Sequence, residues 1–111
     1  MHIGRISRPS LDGPVPRLVA VLPDDREVID LATAETQRLR RRGAEWDAAQ
    51  RMSHATFPGS LTAALRGGDA FTTALEAVLA GGFEEATLAW DDVEWLTPVD
   101  PPVMRRRFRR P

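Results

Sequence analysis

Arg17-Leu18-Val19-Ala20-Val21-Leu22, Pro23-Asp24-Asp25-Arg26 and Glu27-Val28-Ile29-Asp30-Leu31 run consecutively, and this stretch decides the fold. Two apolar, β-branched runs flank four residues of turn chemistry. Proline presets one backbone angle and the aspartates bond locally to the chain, so the stretch reads as a β-hairpin. Upstream, His2-Ile3-Gly4-Arg5-Ile6 has a roughly alternating strand pattern, separated from the hairpin by a Pro/Gly/Ser-rich turn at Pro9 to Pro16.

Downstream the period changes. Between Thr33 and about Met52, Leu39, Trp46 and Ala49 recur at spacings of seven and three, the signature of one helix face. Arg38, Arg40, Arg41 and Arg42 crowd that segment as a charged, exposed face, and Gly43 weakens it by about 1 kcal/mol relative to alanine. Phe57-Pro58-Gly59 ends the helix. Ser60 caps a short turn from Leu61 to Leu65, which Gly67-Gly68 stops. Asp69 then caps a helix presenting Phe71, Leu75, Val78 and Leu79 on one side and ending at Gly81-Gly82. Ala86 to Val99, with Leu88, Trp90, Val93, Trp95 and Leu96, predicts one or two short strands around an Asp91-Asp92 turn. The expected class is α+β, with two or three helices inserted between N-terminal and C-terminal strands.

With 111 residues there is room for one domain. No apolar run approaches a membrane span, Met1 to Arg5 are not followed by the long apolar stretch of a secretory signal, and cysteine is absent, so neither thiolate chemistry nor disulfides are expected and the cytoplasm is the expected compartment. All 15 basic residues are arginines. Ten of them face 16 acids in residues 1–104, a net charge of −6, while the tail at 105–111 carries +5. Such a tail reads as a polyanion-binding arm or as a segment foreign to the body.

Little catalytic equipment is present. His2 and His54 stand in no metal-ligand spacing, and the pairs Asp24-Asp25, Glu84-Glu85 and Asp91-Asp92 read as solvated turn charge before a hard-cation site. No serine stands in a nucleophile elbow, and neither Gly67-Gly68 nor Gly81-Gly82 has the lysine and spacing of a phosphate loop. Trp46, Trp90 and Trp95 read as core aromatics.

Taken in order, Met1-His2-Ile3-Gly4-Arg5-Ile6, the hairpin, Phe57-Pro58-Gly59-Ser60-Leu61, Ala74-Leu75-Glu76-Ala77-Val78-Leu79 and Val93-Glu94-Trp95-Leu96-Thr97-Pro98-Val99-Asp100-Pro101-Pro102 resemble the amino-terminal domain of the fumarylacetoacetate hydrolase family. The resemblance covers residues 1–104. It implies a small, β-rich, partly barrel-like domain that precedes a larger catalytic domain. That second domain would hold Mg²⁺, Mn²⁺ or Ca²⁺ and the acid–base groups of C–C bond cleavage in diketo acids. No catalytic or metal-binding residue carries over to this chain, so the expectation is a non-catalytic domain with no cofactor of its own. Trp90, Trp95, Leu96 and Val99 would form the surface that docks a catalytic domain or drives self-association.

After Met104 the family pattern stops at Arg105-Arg106-Arg107-Phe108-Arg109-Arg110-Pro111, as in the product of a shifted reading frame in a G+C-rich gene, so a truncated or frameshifted form is expected. The alternatives are a stand-alone subunit partnering a separate catalytic chain, and a small binding module whose arginine tail contacts nucleic acid or an acidic partner. No membrane partner is expected.

Overall fold

A computed structural model describes residues 2–96, leaving the expected domain junction at 97–104, Val99 within it, and the tail at 105–111 outside the described residues. The fold is α+β. Strands β1 (His2–Arg8), β2 (Val15–Leu22) and β3 (Glu27–Asp30) form an antiparallel meander. Four helices follow, α1 (Leu31–Arg41), α2 (Trp46–Thr56), α3 (Leu61–Leu65) and α4 (Asp69–Gly81), and then two short strands, β4 (Thr87–Ala89) and β5 (Glu94–Leu96).

The β2–β3 hairpin forms where the sequence places it, with Leu22 opposite Glu27 and Pro23 to Arg26 as its loop. Arg26 closes that loop at φ 53°, a left-handed conformation costing a side-chain-bearing residue about 1–2 kcal/mol. The β4–β5 segment holds it there: Trp90 N–H donates to the Arg26 carbonyl at 2.8 Å, and the guanidinium donates to both Asp91 oxygens at 3.0 and 3.3 Å.

Sheet order is β4-β3-β2-β1-β5, so the last two strands lie at opposite edges although only four residues separate them. Each is antiparallel to its neighbour, and β1 and β3 run the same way, so β4 and β5 share one direction. They are two halves of one strand kinked at Trp90–Asp92. Four inter-strand gaps in a flat sheet span about 19 Å. The five Cα steps from Ala89 to Glu94 reach at most about 17 Å even when fully extended. The sheet must therefore coil. It does not close: β4 and β5 are not paired with each other, so the β-rich, partly barrel-like expectation is corrected to a curled, open sheet in a domain with more helix than strand.

Coiling gives the sheet two apolar faces. Leu18 and Ala20 of β2 turn toward the helices and join Leu31, Ala34, Phe57, Phe71 and Val78 in the larger core. Phe57 meets Phe71 edge-on at 5.5 Å between ring centres. Ile6, Val19, Val21 and Val28 turn to the inner face, where Leu88, Trp90 and Val93 cover them.

Four helices stand where two or three are expected, because the segment read as one helix from Thr33 to Met52 is two. Gly43 adopts φ +99°, and the amides of Arg42 and Gly43 turn back onto the Leu39 and Arg40 carbonyls, so α1 stops and the chain reverses. Between the paired helices Thr36 Oγ1 donates to Ser53 Oγ at 2.9 Å, and Ser53 Oγ donates to the Ala49 carbonyl at 2.7 Å, satisfying both buried hydroxyls.

Ser60 caps α3 as expected, accepting from Ala63 N–H at 3.2 Å. At α4 the capping position is Gly68, not Asp69, which is the first helical residue. The terminal glycines act differently from one another. Gly82 supplies the left-handed turn at φ 64°, whereas a Cβ on Gly81 would collide with the Phe83 ring packed across it.

Candidate docking surface

The expected surface is placed only in part. Trp95 pairs with Ile6 across β1, and alternation puts its indole on the inner face. Gly4 lies beneath it, since a Cβ there would stand 3.0 Å from Trp95 Cζ3. Trp90 meets Trp95 edge-on at 5.7 Å, with the Arg26 guanidinium 5.7 Å from the Trp90 ring centre. Trp95 nevertheless remains 40% exposed, at the edge of the sheet on a strand whose outer side is unpaired among the described residues. Leu96 is half-buried and pairs with Arg5, so it projects to the opposite face. Trp90 and Trp95 therefore form one patch, and Leu96 stands apart from it. Val99 lies outside the described residues.

The core reading fails for Trp46, which is 52% exposed at the start of α2 with the Arg40 guanidinium 5.7 Å from its ring centre. Its seven-residue spacing from Leu39 carries no facing information because a chain reversal separates the two. Trp90 is half-buried over the inner cluster, and Trp95 is split between Trp90 and Gly4 on one side and solvent on the other.

All three acidic pairs occur in short 3₁₀ turns, at Pro23–Asp25, Glu84–Ala86 and Trp90–Asp92. Their charges face solvent or a local partner, as when Glu85 accepts from Gln37 Nε2 at 2.8 Å. No three His, Asp or Glu side chains converge among the described residues.

Two buried acids, Asp30 and Glu35, escaped the sequence reading. Asp30, inaccessible to solvent, accepts from Thr33 N–H at 3.2 Å to cap α1, from Arg8 Nη1 at 2.8 Å, and lies 3.5 Å from Arg17 Nη1. The hairpin turns at 9–14 and 23–26 bring these three residues to one end of the sheet, and no sequence spacing announces them. Their contacts mark a structural joint: the carboxylate ties two strands to a helix start.

The other arginines of α1 divide. Arg38 donates to buried Glu35 at 2.6 and 2.8 Å, and that hydrogen bond raises its pKa above the usual arginine value. Arg40 and Arg41 are exposed and border a cleft of about 360 Å³ between α1 and α2. His54, in the last turn of α2, also lines it. Burial, then the Arg17 charge, push its imidazole pKa down, against a smaller opposing pull from Asp30.

No helix among the described residues is long and apolar enough to cross a membrane. Compared with known proteins, the chain matches no family profile, no curated protein and no solved structure.

Proposed function

We propose that this chain is the non-catalytic amino-terminal domain of a fumarylacetoacetate hydrolase-family enzyme. In this reading it works in the cytoplasm and holds a catalytic domain against its β5 edge. The carrying observation is Trp95: a large aromatic, 40% exposed, on an edge strand whose outer side is unpaired among the described residues. Exposed apolar surface of that kind favours burial against a partner, and edge strands are ready pairing sites.

Support also comes from what the motif residues do. Gly4 accommodates the Trp95 ring, and Ser60 caps α3. Gly59 lies so close to Pro16 that a Cβ would stand 2.6 Å from its carbonyl oxygen, and Arg5 Nε donates to the Gly59 carbonyl at 2.6 Å. Every one of these motif residues serves folding, as expected of a scaffold. Metal binding and acid–base chemistry on diketo acids then belong to the partner domain.

The test mixes the purified chain with a separately produced catalytic domain of this family in sedimentation-velocity runs. A one-to-one complex that Trp95→Asp abolishes is expected, as is no acylpyruvate cleavage by the chain alone with Mg²⁺ or Mn²⁺. Sustained turnover by the chain alone, or no complex with the catalytic domain, overturns the proposal.

A further inference from the structure

The cleft between α1 and α2 has a composition that neither folding nor docking requires. At about 360 Å³ it falls at the small end of ligand-binding pockets. Arg17, Arg40 and Arg41 line it together with Trp46, Gln50 and His54. Its one carboxylate is Glu85, already engaged by Gln37 Nε2 at 2.8 Å.

Arginines at the end of α1 favour the helix dipole, which accounts for their charge but not for their surroundings. Arg8 and Arg17 contact Asp30, Arg26 contacts Asp91 and Arg38 contacts Glu35. Arg40 and Arg41 instead lie near aromatic rings, Trp46 at 5.7 Å and Phe83 at 4.4 Å, with no ion-paired carboxylate among the described residues. A guanidinium packed on a ring keeps its in-plane N–H donors available, in a fork that matches a carboxylate. The Trp46 indole, half in solvent, covers no part of either core cluster. It offers a flat apolar wall beside those donors.

We propose that this cleft binds a small planar organic carboxylate, with its anionic group on the Arg40 and Arg41 guanidinium edges and its conjugated body against Trp46. Burial and the Arg17 charge depress the basicity of His54 and so favour its neutral imidazole, which keeps one ring N–H to donate and one ring nitrogen to accept. Apart from Arg17 on β2, the lining comes from α1, α2 and Glu85 and includes no residue of β5, so the site does not depend on the docking role.

The test is a ¹H–¹⁵N NMR titration of the full chain with benzoate, acetate and benzyl alcohol, which separate ring and charge. Benzoate is expected to give saturable shifts centred on the Trp46 indole and Gln50, with a dissociation constant of roughly 1 mM or tighter. Acetate and benzyl alcohol should each bind at least about tenfold more weakly, the loss expected when one of two anchoring interactions goes. The pair Arg40→Gln and Arg41→Gln should cost benzoate about the same factor, and Trp46→Ala should reduce it to the acetate level. These side chains are exposed, and an unchanged spectrum for core amides such as Val19 and Val78 establishes that each variant is folded. Should the double variant lose its fold, Arg40→Gln alone must still weaken benzoate. Non-saturating shifts, acetate or benzyl alcohol binding as tightly as benzoate, or unchanged affinity in the folded arginine variant each overturn the proposal.

Discussion

The two faces of the curled sheet bury similar side chains in different ways. On the outer face, Leu18 and Ala20 meet a full layer of helices, and Phe57 at its centre is 1% exposed. On the inner face, Ile6, Val19, Val21 and Val28 are just as dry at their bases, but their cover is a kinked strand. Its outermost ring, Trp95, is 40% exposed. Helices can supply a continuous apolar stripe, whereas three-residue strands have too few side chains to close a sheet of this curvature. The cover is therefore supplied by large aromatics, which leave part of themselves in water. Trp95 thus stays partly in water on the inner face, as Trp46, Met52 and Leu65 do on the helical side.

The largest effect should come from the helical side. Phe57→Ala removes a buried ring and its edge-on contact with Phe71, and should cost about 3–5 kcal/mol, read as a lower urea midpoint at unchanged slope. Much of a domain's total stability is of that size, so partial unfolding at 37 °C is expected. Trp95→Ala should cost less, about 1–2 kcal/mol in the isolated chain, because part of the ring is already hydrated and the remainder comprises its contacts with Gly4 and Trp90. Equal losses for the two variants would break the comparison, since the inner face would then be as closed as the outer. A smaller loss for Trp95→Ala, with reduced self-association at high concentration, would sharpen it.

The smallest effect is a pH dependence at the joint between the faces. His54 lies near Arg17 and Asp30, and its folded pKa is below that of a free imidazole. The unfolded chain therefore binds the proton more readily. Stability from this source is full above about pH 6.5 and declines as pH falls through that value toward the lower folded pKa. His54→Gln should flatten that part of the urea-midpoint profile. An unchanged profile would mean the imidazole is hydrated and insensitive to Arg17.

Much of this fold could be read locally. Pro23-Asp24-Asp25-Arg26 between two apolar runs suffices for the hairpin, Ser60 for a helix start, and Gly82 for a helix end, because each feature is decided by atoms within a few residues. Gly43 was equally visible as a weak point, but a glycine within a helical pattern can be tolerated or can reverse the chain. The choice depends on whether α2 gains more by packing against α1 through Thr36 and Ser53 than by extending it. Reading one continuous helix then misplaced Trp46, which was assigned to the core by a period that the reversal interrupts.

For the candidate surface, the sequence identified the tryptophans but not their grouping. Strand alternation separates Leu96 from Trp95, and only the coil of the sheet brings Trp90 and Trp95 together. Asp30 with Arg8 and Arg17, and Arg40 with Trp46, were likewise present as residues without any spacing to connect them.

The sequence by itself determined the α+β class, the hairpin, the helix ends at Ser60 and Gly82 and the absence of cysteine chemistry, since composition and short-range sterics act before the chain collapses. Tertiary structure decided which edges β4 and β5 occupy, which tryptophans stay in water and which arginines pack on aromatic rings. Those outcomes depend on how far a short linker can reach and on which surfaces compete for burial, quantities set by the whole folded chain.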